Sequence, residues 1–164
     1  MEITERIKSK LFTREQIRNQ CNIWRFKEKK IVFTNGCFDL LHLGHIEYLS
    51  KAADAGDVLV IGLNSDNSVR MLKGTGRPVM NEHARAMILA SLSYVTAVVL
   101  FDEENPYELI ATIQPDILVK GADYRIEEIA GHDIVQSRGG EVITVPLTKG
   151  YSTTDLIAKL RNLE

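Results

Sequence analysis

The stretch Ile31–Gly56, IVFTNGCFDLLHLGHIEYLSKAADAG, decides the fold. It opens on Ile31–Thr34, a short apolar, β-branched run of the kind that forms a strand covered on both faces. It ends on Ile46–Ala55, where apolar residues return at helical spacing. A strand passing through a glycine-bearing loop into a helix is the first half of a βαβ unit. The same alternation continues outward from it. Val58–Leu63, Val95–Leu100, Ile117–Lys120 and Val142–Val145 read as four further strands, and Ala84–Leu92 and Tyr107–Ile113 as helices between them.

Strands alternating with helices predict an α/β domain, and right-handed crossovers turn it into a Rossmann-like, doubly wound, five-stranded parallel sheet. The expected strand order is 3-2-1-4-5. The winding then reverses between strands 1 and 4, and ligands in such sheets bind beyond the strand ends at that point. The loops after strands 1, 4 and 5 are therefore the ones to inspect. Residues 11 to 27 read as one helix, with Leu11, Ile17, Cys21 and Trp24 on one side. This gives a helical extension over 1–28 and a sheet domain over 29–164.

The chain has 164 residues, 45% hydrophobic and 26% charged, with a formal net charge of -2. That suits one domain with a real core, and it argues against a general nucleic-acid binder, which is usually basic. No apolar run reaches the roughly 18 residues that span a membrane, and Met1–Lys10 lacks the apolar stretch of a signal peptide. Two cysteines, Cys21 and Cys37, offer neither a disulfide framework nor a zinc pattern. The expectation is a cytoplasmic protein with reduced thiols.

After strand 1, His42 and His45 are three residues apart at the start of a helix, so they share one face. Gly36 and Gly44 leave room for a ligand to approach the backbone. Free N–H groups and the helix dipole attract phosphate there, and two imidazoles suit a reaction that builds negative charge at phosphorus. The pair could also hold a metal, but zinc sites usually need three or four ligands, and only Asp39 is a nearby candidate. A purely structural role for the pair is a further alternative. There is no Walker A sequence.

Two other loops carry polar groups. Lys120, Gly121 and Asp123 follow strand 4, where they fit either a nucleotide contact or an ordinary turn. Ser152, Thr153 and Thr154 follow strand 5, with Ser152 as an N-cap and Asp155 three residues later. These hydroxyls either cap the last helix or also face phosphates. After strand 2, Asn64, Asp66, Arg70, Lys73 and Arg77 carry charge or polarity. Asp66 could reach an acceptor and Lys73 a phosphate. Gly74 and Gly76 suit a closing loop, whereas a solvated face is the competing reading for Arg70 and Arg77.

The run Gly36-Cys37-Phe38-Asp39-Leu40-Leu41-His42-Leu43-Gly44-His45 resembles the GxFDxxHxGH signature of the HIGH-motif nucleotidyltransferases, and Ser152-Thr153-Thr154 resembles the STT element of their cytidylyltransferase-like branch. The resemblance implies that His42 and His45 contact the triphosphate and stabilise the transition state at the α-phosphorus. Asn64-Ser65-Asp66, Leu72-Lys73-Gly74, Arg77-Pro78-Val79, Val119-Lys120-Gly121, Glu128-Ile129-Ala130-Gly131 and Gly139-Gly140-Glu141-Val142 add a similarity to the heptose 1-phosphate adenylyltransferase family, over about residues 28 to 162. That family is often fused to a sugar kinase, for which this chain is too short, so the stand-alone form is implied. The glycerol-3-phosphate cytidylyltransferase family is the nearest competitor. It has an Arg where Leu147 stands, and an acidic-aromatic pair after strand 2 that Asn64-Ser65-Asp66 lacks.

The resulting expectation is AMP transfer from ATP to D-glycero-D-manno-heptose 1-phosphate, releasing pyrophosphate. His42, His45 and Lys73 are the expected catalytic residues. Gly36, Cys37, Phe38, Gly44, Lys120, Gly121, Asp123, Ser152, Thr153 and Thr154 would hold the nucleotide. Asn35, Asp39, Asn64, Asp66 and Arg77 would hold the acceptor. Mg²⁺ is expected between phosphate oxygens with few protein ligands, and no residue is assigned to it. No nucleic-acid or membrane partner is expected, and the resemblance suggests a homodimer. A non-catalytic nucleotide-binding regulator using the same pocket is the reading from another class.

Overall fold

A computed structural model describes residues 2–148 and 150–162. The chain runs α1 (Ile3–Lys8), β1 (Leu11–Phe12), α2 (Arg14–Phe26), β2 (Ile31–Gly36), α3 (Leu43–Ala53), β3 (Val58–Asn64), α4 (Asp66–Lys73), α5 (Glu82–Ser91), β4 (Ala97–Phe101), α6 (Tyr107–Ile113), β5 (Ile117–Gly121), α7 (His132–Ser137), β6 (Glu141–Val145) and α8 (Thr153–Arg161). A short 3-10 turn, Ile126–Glu128, precedes α7.

The sheet has six strands in the order β1-β4-β3-β2-β5-β6, which corrects the expected five-stranded 3-2-1-4-5. The additional member is β1 at the edge, paired parallel through Leu11↔Val98 and Phe12↔Val99. It lies inside the segment read as one helix from residue 11. The helix begins only at Arg14, after Thr13, which forms a capping box: Thr13 Oγ1 accepts from Gln16 N (3.2 Å) and Gln16 Oε1 from Thr13 N (2.8 Å). The third expected strand also moves, to Ala97–Phe101, because Val95 N donates to Leu92 O in a turn. The helix expected over 84–92 starts at Glu82, capped by the Asn81 side chain.

Alternate strand residues point to opposite faces, and helices cover both. On one face Val32, Leu59, Ile61, Val98 and Val119 pack with Tyr48, Leu49 and Ala52 of α3 and Ala86, Leu89 and Ala90 of α5. On the other, Ile31, Phe33, Val60, Val99 and Leu118 pack with Ile17 and Cys21 of α2, Leu109, Ile110 and Ile113 of α6, and Val135 of α7. Each such Leu, Ile or Phe contributes about 1.5–3 kcal/mol relative to exposure. All seven residues of the central β3 are buried, as its continuous apolar run requires. Helix α8 has no buried residue.

Candidate active site

The site opens where β2 and β5 part. These strands share only the pairs Val32↔Ile117 and Phe33↔Leu118, whereas β2 and β3 pair over six residues to Gly36 and Leu63. The C-terminal ends of β2 and β5 are thus joined by side chains. The buried Tyr48 hydroxyl meets Thr34 Oγ1 at 2.7 Å and donates to Val119 O at 3.1 Å. Above it, Lys120 Nζ donates to Asn35 Oδ1 at 2.9 Å and lies 5.5 Å from the centre of the Tyr124 ring. Burial pushes the Lys120 ammonium pKa down.

Helix α3 starts at this opening. His42 is its N-cap in extended conformation and its side chain makes no cap bond, so the imidazole is free for other use. His42 and His45 stack with ring centres 3.8 Å apart and planes at 22°. Phe38, at a left-handed φ of 42°, sets its ring edge-on to His45 at 5.2 Å. Gly44 permits this packing: a Cβ there would lie 3.1 Å from the His42 ring and 3.3 Å from Tyr151 Cβ. Burial, then the neighbouring His42, push His45 down to about 4, and burial lowers His42 as well. Both rings are therefore neutral near pH 7, and each carries one N–H. Both Nδ1 atoms are buried without a hydrogen-bond partner, a demand that a bound ligand or water can meet.

Behind the histidines, buried Asp39 ties the loop after α4 to the motif. Its carboxylate accepts from Arg77 Nε (2.6 Å), Val79 N (2.8 Å) and Met80 N (2.9 Å). Burial acts to raise its pKa, and the Met80 and Val79 amides together with Arg77 outweigh it, holding the carboxyl below its ordinary value. Arg85, fully buried on α5, donates to Met80 O, Cys37 O and Asn64 O and pairs with Asp66 at 2.7 Å. One guanidinium thus fixes the ends of β2 and β3 and the start of α4.

The loop from β6 to α8 faces α3. Ser152 Oγ accepts from Asp155 N at 3.0 Å and caps α8. Thr148 donates its hydroxyl to Glu47 of α3. Half-exposed Leu147 and Tyr151 complete the wall.

Together these groups surround a cavity of about 540 Å³. It brings together Asn35, Gly36, Cys37, Phe38, Asp39, His42, Gly44, His45, Asn64, Lys73, Arg77, Lys120, Gly121, Asp123, Ser152, Thr153 and Thr154. Asp66 is not brought there. Its carboxylate is held by Arg85, and it lines a separate cavity with Glu82, His83 and Asp102. Sequence reading did not anticipate Tyr48, Leu72, Tyr124, Thr148 or Tyr151 in the wall. Tyr48 carried a signal, falling three residues after His45 on the same helical face. Among the described residues, no group of three or more His, Cys, Asp and Glu is arranged to hold a metal ion. No described helix is long and apolar enough to cross a membrane.

Residues 33–159, which contain every side chain of this cavity, match the family model described as cytidylyltransferase-like. The chain belongs to the cytidylyltransferase-like family. Among curated relatives of this family, it is 53% identical over 152 residues to the bifunctional protein HldE of Syntrophotalea carbinolica, covering 93% of this chain and 31% of that protein. It is 52% identical over 153 residues to HldE of Caulobacter vibrioides, covering 93% of this chain and 32% of that protein. The chain thus spans about a third of the length of these relatives. The lipopolysaccharide core biosynthesis protein of Thermoplasma volcanium is a similar solved structure, with TM-score 0.60 and 30% identity over 76% of this chain and 99% of that one. A pantoate-beta-alanine ligase from Francisella tularensis, 18% identical, shares the fold at TM-score 0.60, over 92% of this chain and 76% of that one.

Proposed function

We propose that the chain transfers AMP from ATP to D-glycero-D-manno-heptose 1-phosphate, giving ADP-heptose and pyrophosphate for a surface-glycan precursor. The observation that carries this is the stacked His42–His45 pair at the start of α3, on one cavity with the Ser152-capped start of α8. Two helix N-termini on one cavity suit a polyphosphate held at two places. Support for the heptose acceptor comes from the likeness to HldE proteins and to a lipopolysaccharide core biosynthesis protein.

In the proposed reaction, a phosphate oxygen of the acceptor attacks the α-phosphorus in line. The new O–P bond forms as the bond to pyrophosphate breaks. The attacking group is already anionic, so no protein nucleophile or base is required, and Cys37, its thiol pKa raised by burial, takes no covalent part. Catalysis is positioning plus charge stabilisation. His42 and His45 donate to the oxygens of the five-coordinate phosphorus. Lys73 supplies a cation from the α4 end, and Ser152, Thr153 and Thr154 receive the leaving pyrophosphate. Lys120, Gly121 and Asp123, with Gly36, Cys37, Phe38 and Gly44, seat the nucleotide. Asn35, Asn64 and the Asp39–Arg77 pair face the acceptor. Mg²⁺ is proposed to arrive with the nucleotide, held by phosphate oxygens. The chemistry is assigned to residues 29–164, with 1–28 as an extension, and a homodimer is the proposed assembly, which light scattering would test.

Pyrophosphate release tests this reading, with ATP or CTP, each offered heptose 1-phosphate or glycerol 3-phosphate. Release confined to ATP plus the heptose is expected. Release with CTP and glycerol 3-phosphate would move the chain to a cytidylyltransferase, and nucleotide binding without release in any mixture would favour a regulator.

A further inference from the structure

We propose that Tyr151 is a positioning residue for the transfer reaction: its ring closes one side of the His42–His45 stack and couples the start of α8 to the start of α3. The proposal rests on the nucleotidyl transfer argued above.

Four rings form one column across the cavity floor. Phe38 lies edge-on to His45 at 5.2 Å, His45 stacks on His42 at 3.8 Å, and His42 faces Tyr151 at 6.4 Å with planes at 26°. These separations fall within or below the 4.5–7 Å range of aromatic pairs. Phe38 comes from the loop after β2 and Tyr151 from the loop before α8, so each end of the histidine pair is held by a different segment. Gly150, at φ +84°, turns the chain just before Tyr151, a conformation that glycine adopts without strain. Gly44 has no side chain where Tyr151 Cβ comes nearest, so the two loops meet closely. The hydrogen bond from Thr148 to Glu47 makes a second tie between the same segments.

The arrangement addresses a physical problem. Apart from a contact of His45 with the Leu40 backbone, the stacked histidines, whose Nδ1 atoms are unpartnered, have few polar contacts of their own to fix their ring planes. An edge-on Phe38 on one side and a near-parallel Tyr151 on the other fix those planes through packing and leave ring N–H groups for phosphate. Tyr151 also adjoins Ser152, so a shift of the pyrophosphate-facing loop is transmitted to the ring that faces the α-phosphate. The ring and its Cβ make these contacts, and the hydroxyl has no part in them.

Other titratable groups around the pair are Glu47, bound by Thr148, and Cys37, Asp39, Tyr48, Lys73, Arg77, Lys120, Asp123 and Tyr124 on the cavity wall. The test follows the ring protons of His42 and His45 by NMR titration in the wild type, Tyr151→Phe and Tyr151→Ala, and measures pyrophosphate release in each. Tyr151 is 45% exposed, so the alanine variant loses little core packing. Tyr151→Phe is expected to keep both titrations, and turnover within about twofold, because packing and not a hydrogen bond is at stake. In Tyr151→Ala the His42 titration should move up toward the ordinary histidine value of about 6.5. Its kcat should fall about ten- to a hundredfold with a smaller change in KM, the scale of a misplacement of roughly 1 Å. An unmoved His42 titration in Tyr151→Ala overturns the proposal, as does a Tyr151→Phe variant as slow as the alanine one. A wild type that releases no pyrophosphate would sink the transfer reading and the kinetic part of this role, whereas the titrations would still report whether Tyr151 closes the histidine stack.

Discussion

The two helix starts that meet at the cavity are built differently. Helix α3 is locked in place: four of its residues, Gly44, Tyr48, Leu49 and Ala52, are buried, and the Tyr48 hydroxyl bonds to both β2 and β5. The α8 start has a cap and surface contacts only, and none of the residues of α8 is buried. In the proposed reaction the first faces the α-phosphorus and the second faces the leaving group. Geometry at the reacting atom tolerates little error, whereas a pyrophosphate has to be released. The contrast matches a fixed reacting end and a looser departing end.

Removing either side's donors should expose that asymmetry, most strongly at α3. His42→Ala or His45→Ala should lower turnover by about 10²–10³, the usual cost of a lost transition-state donor. Each should keep its fold by circular dichroism, and near-normal pyrophosphate release in both would end the mechanism. Next in size is Arg77→Met, which strips a charged partner from buried Asp39. A loss of about 2 kcal/mol is expected in urea unfolding, since bonds to charged groups carry roughly that much, and an unshifted midpoint would show that the Met80 and Val79 amides suffice. Ser152→Gly is milder on structure. Glycine is a tolerable N-cap, costing only a few tenths of a kcal/mol, yet it removes the hydroxyl. A rise in nucleotide KM without a change in melting would assign Ser152 to phosphate, and no kinetic change would leave it a cap.

The smallest effect is a pH slope. Burial, then the neighbouring His42, push His45 in the folded chain down to about 4 from its ordinary 6.5. Between those values the unfolded chain binds more protons, so stability falls as pH drops through this window. His45→Gln should flatten that part of the stability profile, and a wild-type profile flat from pH 6.5 to 4 would contradict the buried neutral ring.

The sheet core was legible in the sequence because β2 to β6 are short apolar runs, and the α3 start because two histidines and two glycines sit at fixed spacing behind a strand. Strand β1 was not. It has two residues, is held by backbone pairing to β4, and its Leu11 fits the helical spacing equally well. Asp66 looked like an acceptor contact because it follows β3 directly. In the structure its carboxylate is held by Arg85, which lies 19 residues on and is reached only through the fold. Tyr151 had no pattern to betray it, since stacking on His42 depends on how two distant loops meet.

Strand β1 also decides what the sheet offers to other molecules. Without Leu11 and Phe12, β4 would be the outermost strand, and its stretch at Val98 and Val99 would carry open amides and carbonyls along an apolar strand. Such an edge recruits further strands and seeds aggregation. A two-residue cover is itself too short to act as a template. Strand β1, which contributes no residue to the cavity, therefore shields that edge of the sheet.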